Sequence, residues 1–399
     1  MLLHPSETTM VLNCRMFTAF EDVDLPAWES VRRKSGHSIF IDPLLIRAVE
    51  NSMKATCQFW YIIIEEDGVP FAIACLYATT IDLTDFADPR LASFIRRMPG
   101  VLSRFRKLKI LSCGLPGLPG ENALALASPQ ASPQVLPLLD HLICDLGRRF
   151  GADGIFYKEF GNADGELTAP LPGLGYSRIA MPEMYCFRPS FQSLEEYCAA
   201  LRAHYRKQVN RSIRKLKRLG ATVAVLTDPL EILKAYTPEV HALYFSVVAR
   251  AALKLEILPI DFFRQLTARS KGEVELIVFL IDTQIIAFGW CLHAGEDYHA
   301  LYAGLDDHYN DELDLYFNLS YAVLDRALQK RPAKIYFGQT ADSFKARLGC
   351  YPEPLYVFAK GCGPIMSRIV RYGADLLVAK TPAVPAFNIF NTPPDSVSS

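Results

Sequence analysis

EVELIVFLIDTQIIAFGWCLHAGEDYHALYAGL, residues 273–305, reads as three consecutive strands. Residues 273–281 and 285–293 are apolar runs joined by Asp282-Thr283-Gln284, and residues 298–305 form a third. The polar turn cuts the run short of the ~18 unbroken apolar residues that a membrane span needs, so a hairpin is expected. Leu319, Ala322, Val323 and Ala327 then recur at helical spacing within 315–329, and residues 334–338 return as a short strand.

The same order occurs earlier in the chain. Residues 60–64 and 71–76 form a hairpin around Glu65-Glu66-Asp67-Gly68, and residues 109–113 a strand. A helix over 134–149 carries Val135, Leu138, Leu139, Leu142, Ile143 and Leu146, Gly151 ends it, and a strand over 154–160 follows. Asp67 and Ala72 fall on Asp282 and Ala287 at an offset of 215; Ile155 and Phe156 fall on Ile335 and Tyr336 at 180. The first half thus carries about 35 more residues between hairpin and helix. Leu174-Gly175 matches Leu348-Gly349, and Tyr185 matches Tyr356. Landmarks in one order predict a duplicated α/β (α+β) unit.

Composition narrows the function. The 399 residues are 50% hydrophobic and 21% charged, with 42 Lys+Arg against 43 Asp+Glu. That suits two or three ordinary cores and excludes a disordered or uniformly basic chain. The ten cysteines include no C-x-x-C pair, which predicts reduced thiols in a cytoplasmic protein and no metal site. No secretory leader is read at the N-terminus, and no P-loop, H-E-x-x-H, G-x-S-x-G or G-x-G-x-x-G motif occurs. The prolines in Gly114-Leu115-Pro116-Gly117-Leu118-Pro119-Gly120 remove backbone donors and make this a plain loop rather than a phosphate cradle.

LRAHYRKQVNRSIRKLKRLG, residues 201–220, is an amphipathic helix whose positions 202–218 hold eight Lys/Arg and no acid. Arg206, Lys207, Arg211 and Arg214 are therefore candidate contacts for an anionic ligand, by neutralising phosphates.

Three stretches together carry a family resemblance: this basic helix, the hairpin with Ile285-Ile286-Ala287 after its turn, and the ending Tyr336-Phe337-Gly338-Gln339, Phe344-Lys345, Leu348-Gly349. The chain resembles the GNAT acyltransferase superfamily in its FemAB-like branch, which includes BioF2-like (CelD-like) acetyltransferase domains and bacterial-type peptidoglycan biosynthesis proteins. The resemblance covers about residues 194–358 and, more weakly, the first half. It implies two tandem GNAT-like domains, each a mixed, mostly antiparallel sheet flanked by helices. The expected limits are 1–190 for a degenerate domain, 191–362 for the second, and 363–399 for a partly disordered extension. The implied activity is attack of an amine, on a small molecule or peptide, on the carbonyl of an activated donor. Acyl-CoA or aminoacyl-tRNA would serve as co-substrate, with no permanently bound cofactor. The alternative is a non-catalytic double-GNAT module that holds RNA or anionic lipid through the basic helix.

One departure bears on the donor. Where GNAT enzymes hold pyrophosphate on a glycine-containing loop at a helix start, residues 306–314 carry five carboxylates and no glycine. The resemblance gives Lys345 a functional role, stabilising an oxyanion or an RNA phosphate. Asp306, at the end of the 298–305 strand, is the candidate base, and Tyr302 the candidate proton donor to the leaving group. Gln339, Tyr316 and His299 are candidate substrate contacts. Residues 365–380 are a candidate amphipathic helix for peripheral membrane contact. The proline-bearing tail from Thr381 reads as poorly ordered.

Overall fold

The computed structural model describes residues 12–391 other than 37, 83, 85–96, 98–105, 119, 121, 251–256, 340–341 and 378–386. Compactness divides the chain into two units: Met1–Ile179 with Tyr356–Leu377, and Ala180–Leu355 with Val378–Ser399. The chain passes from one to the other inside a strand, twice. These units differ from the segments 1–190, 191–362 and 363–399 for that reason. A strand whose halves belong to different cores offers no linker to read.

Unit 1 opens with β1 (Leu12–Phe17), α1 (Leu25–Lys34) and α2 (Pro43–Met53). Asp24 and Asp42 cap these helices by accepting from the Ala27 and Leu44 amides, each with proline in the first turn. The hairpin β2 (Gln58–Glu66) and β3 (Val69–Asp82) follows, then β4 (Lys107–Cys113), β5 (Leu124–Leu126), α3 (Ser132–Phe150), β6 (Gly154–Gly161), α4 (Gly165–Thr168) and β7 (Ser177–Phe187). The strand order is β1-β2-β3-β4-β6, with β5 also on β3 and the returning strand β13 (Tyr351–Gly361) beside β6. Val135, Leu136, Leu139 and Ile143 of α3 are buried in one core with Leu76, Leu111, Ile155 and Tyr157. Elsewhere in the unit, Phe20, Trp28 and Tyr61 meet edge to face at 5.0–6.4 Å.

Unit 2 runs α5 (Leu194–Ala200), α6 (Ala203–Arg218), β8 (Thr222–Leu226), α7 (Pro229–Ala235), α8 (Pro238–Arg250), α9 (Ile260–Arg269), β9 (Val274–Ile281), β10 (Gln284–Ala294) and β11 (Asp297–Leu305). It continues with α10 (Asp307–Leu313), α11 (Leu315–Lys330), β12 (Lys334–Tyr336) and α12 (Asp342–Leu348). After β13 comes α13 (Gly363–Leu377), which belongs to unit 1. The order here is β13-β7-β12-β11-β10-β9-β8. Leu319, Val323 and Ala327 of α11 are buried in one core with Ile277, Ile286 and Tyr298. A second cluster joins Tyr236, Tyr244, Phe263, Trp290 and Tyr302.

The two hairpins repeat each other. Asp67 and Asp282 both turn through the left-handed region, at φ 49 and 51. Each second strand carries one unpaired residue, Phe71 against β2 and Ile286 against β9, again 215 apart. The freed carbonyls do the same work: Phe71 accepts from Ala127 N–H at 2.7 Å, and Ile286 from Asp306 N–H at 2.8 Å.

Part of the proline-bearing tail is packed. Residues 387–391 are ordered against unit 2, with Ile389 and Phe390 2% and 6% exposed. Arg202 N–H donates to Ile389 O at 2.8 Å, and Asn391 N–H to Ala200 O at 2.9 Å. The apolar residues of this segment outweigh the prolines around it.

Candidate active site

In unit 2 the parallel strands β11 and β12 pair only from Asp297–Lys334 to His299–Tyr336. β12 then ends while β11 runs on to Leu305. The pairing ends at a defined level, and this is where the wedge that the family resemblance implies would lie. Along that stretch the ladder to β10 steps from Cys291–Ala300 to Trp290–Tyr302, leaving Leu301 as a one-residue bulge.

In unit 1 the parallel strands β4 and β6 pair from Ile110–Gly154 to Cys113–Tyr157. The ladder on β3 steps from Leu76–Cys113 to Ala74–Leu124, so residues 114–123 stand where unit 2 has Leu301 alone. Cys75 bridges the gap, accepting from Gly114 N–H and donating to Ala123 O, both at 2.9 Å. Leu115 and Leu118 are 2% and 1% exposed, and Gly120 N–H donates to the buried Glu159 carboxylate at 2.8 Å. Gly114 is required by this approach, since a Cβ there would lie 2.7 Å from Lys158 Cγ. The chain's own loop thus fills the wedge of unit 1.

Lys345 sits on α12 and is only 3% exposed. Its Nζ is 6.0 Å from the Tyr185 ring centroid and close to Gly338. Two bonds fix that corner: Tyr185 N–H donates to Gly338 O at 3.1 Å, and Phe337 N–H to Tyr185 O at 2.9 Å. The neighbouring Phe344 ring packs on Tyr316 and Phe317 of α11 at 5.3 and 4.5 Å, which seats α12. Half-buried Gln339 is one residue beyond Gly338. Lys345, Gln339 and Tyr316 are therefore brought to one end of unit 2.

The other candidates are engaged elsewhere. Asp306 caps α10, its Oδ1 accepting from His308 N–H at 2.9 Å. Tyr302 is packed against Tyr244, Phe262 and Phe263 at 5.3–6.0 Å, and burial pushes its hydroxyl well above the ordinary tyrosine range. Both assignments lose ground physically: one carboxylate is committed to a helix cap, and one phenol is a poor acid. His299 stacks on Tyr336 at 4.5 Å, 4% exposed. Burial first, then the Lys334 and His293 cations, press its pKa down to about 3. It is a neutral support at the point where β11 and β12 part.

One carboxylate of the acidic loop, Asp314, is paired from within. Lys215 of α6 meets Asp314 at 2.6 Å, and Ser212 Oγ donates to the same carboxylate at 2.9 Å. Asn310 Oδ1 accepts the Tyr316 amide at 3.3 Å. Part of the donor set at the α11 N-terminus is thus already taken by the chain itself.

Arg206 turns inward, donating to the Ala199 and Leu201 carbonyls at 3.3 and 3.4 Å. Lys207, Arg211 and Arg214 are exposed, and Arg218, overlooked in the sequence, completes their stripe at helical spacing. None of these four pairs with an acid among the described residues. Sequence reasoning also missed buried Lys158 and Glu159, 7% and 1% exposed; the signal was two charges inside the strand Tyr157-Lys158-Glu159-Phe160. Among the described residues no cluster fits a metal ion, and no helix is long and apolar enough to cross a membrane. Residues 363–372 of α13 expose Ile365, Ile369 and Tyr372 at 55%, 43% and 74%; positions 378–380 lie outside the described residues.

A sheet with a parting strand pair, a bulge on one of them and a helix crossing behind is the GNAT arrangement. Residues 203–346 match the family model described as an acetyltransferase (GNAT) domain. FemX is similar over 86% of this chain and 98% of its own, with 13% identity and a TM-score of 0.53. A tandem GNAT protein from the clavulanic acid biosynthesis pathway is similar over 89% and 99%, with 12% identity and a TM-score of 0.51. The fold is thus shared with FemX and with this tandem GNAT protein. No curated protein matches the sequence.

Proposed function

We propose that the chain is an N-acyltransferase whose donor enters the wedge of unit 2, with an amine attacking the donor carbonyl directly. The observation that carries this is the contrast between the wedges: a single-residue bulge at Leu301 in unit 2, and a filled wedge in unit 1. An activated carbonyl needs two substrates positioned and one oxyanion stabilised, and the buried Lys345 ammonium suits the second task. Its low-dielectric surroundings strengthen its field. Asp306 and Tyr302 keep at most secondary parts in proton transfer.

The donor's phosphates are assigned to the exposed stripe Lys207, Arg211, Arg214 and Arg218 rather than to the α11 N-terminus, whose Tyr316 amide is already capped. At 1.5 Å per residue the stripe spans about 16 Å, longer than one pyrophosphate and suited to a polynucleotide backbone. This favours aminoacyl-tRNA over acyl-CoA and leaves a small-molecule or peptide amine as acceptor. A peripheral bilayer contact through the exposed stripe of α13 is a compatible second feature.

Single-turnover transfer from a panel of acyl-CoAs and aminoacyl-tRNAs to small and peptide amines tests the reading. Turnover that disappears in Lys345→Met, with unchanged melting temperature, supports it. RNA or vesicle binding with no turnover from any donor overturns it in favour of the non-catalytic module.

A further inference from the structure

We infer that unit 1 carries a second small-molecule site, a cleft that takes a compact carboxylate with an aromatic or branched apolar body. The cleft measures about 190 Å³ and lies between α4 with the turn after it and the ends of β6, β7 and β13. Its apolar walls are Phe160, Tyr356 and Phe358, and the Phe160 and Phe358 rings stand edge to face at 5.9 Å. Gly165 and Ala169 hold the opposite side open; a Cβ on Gly165 would meet nothing within 4 Å. That is room for about six waters at ~30 Å³ each, the scale of an amino-acid side chain with its carboxylate.

Arg178 is the one charged residue lining the cleft. Its guanidinium lies over the Tyr356 ring with its carbon 3.4 Å from the centroid. Stacking uses the face of the guanidinium and leaves its in-plane N–H donors available. Arg178 is exposed, and none of those donors reaches a carboxylate or carbonyl among the described residues. A planar fork of N–H donors held flat at the lip of an aromatic cleft matches a carboxylate in two-point geometry. One cation with no second lysine or arginine in the lining matches a monoanion better than a dianionic phosphate. The adjoining rings then take the apolar body edge-on or stacked.

This site is independent of the transfer reading and is tested by binding alone, on the full chain. The probes are N-acetyl-L-phenylalanine, its primary amide, and phenyl phosphate, each titrated by ligand-observed NMR. Saturable binding of the acid, about tenfold or more tighter than the amide and tighter than phenyl phosphate, is expected. Arg178→Gln, which keeps a flat group over Tyr356, removes that preference, and Ala169→Trp fills the cleft and abolishes binding. Both variants are exposed positions and keep the parent melting temperature. No saturable binding of the acid, equal binding of the amide, or an unchanged preference in Arg178→Gln overturns the proposal.

Discussion

Unit 1 and unit 2 interrupt the same ladder at the same place, one with ten residues and the other with one. In unit 2 the step in the ladder is the single residue Leu301. In unit 1 the excursion of residues 114–123 reaches across to β6, buries two leucines and places Gly120 on Glu159. A sheet can thus be duplicated with its hairpin and its bulge intact while one copy loses its cavity. Local strand geometry is kept because it stabilises the core. The wedge is a gap, which the core does not need, so a Gly/Pro-rich insertion can occupy it.

Transplanting residues 114–123 in place of Leu301 is the strongest way to break the contrast. Donor binding by unit 2, measured by titration with the donor that gives turnover, is expected to vanish while unit 1 stays folded. Next in size is an effect of pH. His299 is held neutral to about 3, against 6.5 for an ordinary histidine. Between those values the unfolded chain takes a proton that the folded chain refuses, so stability from this group is complete above pH 6.5 and is lost as pH falls toward 3. At 1.36 kcal/mol per pKa unit the loss reaches ~5 kcal/mol. His299→Phe keeps the stack on Tyr336 and removes the proton. Denaturant midpoints of the variant should fall less steeply with acid; parallel curves would show that His299 titrates normally. His241 and His293, also depressed by burial, add slope to both curves alike.

The two buried lysines sharpen the comparison. Lys345→Met should lower single-turnover transfer by ~10²–10³, the usual cost of one preorganised oxyanion contact. Lys158→Met removes the 3.4 Å contact with Tyr77 Oη and should leave turnover unchanged. Equal losses would mean that unit 1 takes part in the chemistry. Smallest is the salt effect. Replacing Lys207, Arg211, Arg214 and Arg218 together by alanine should flatten the log–log salt dependence of RNA binding by about 3, at ~0.7 per phosphate contact on a single strand. An unchanged slope leaves α6 as a solvated face.

What was legible in the sequence followed periodicity. Both hairpins, the helices ended by Gly151 and placed before Lys330, and the basic helix were all visible, because apolar spacing and turn residues act locally. The repeat at an offset of 215 aligned the two hairpin turns, but the unpaired Phe71 and Ile286 beside them were not visible in it. The burial of Lys345 was not legible: Phe-Lys on a short helix looks the same whether the helix lies on the surface or caps a corner between β7 and β12. The split of one strand into β4 and β5 was also hidden, since the intervening prolines and glycines read as an end rather than an excursion. Tyr302 and Asp306 were assigned from position along a strand, and strand position does not say which face or which cap a side chain will serve.

The passage of the chain through β7 and β13 has a consequence for its synthesis. Unit 1 is begun before unit 2 but completed after most of it, because the strand beside β6 belongs to Tyr351–Gly361 and arrives only after β8 to β12 have been made. While the residues between β6 and β13 are made, at ~5–20 residues per second, β6 waits with an unpaired edge. Unit 2 in turn receives Ile389 and Phe390 later still. Neither unit is therefore contiguous in sequence. A nascent chain stalled before residue 351 would hold two unfinished sheets, and completion of both waits for residues 351–390.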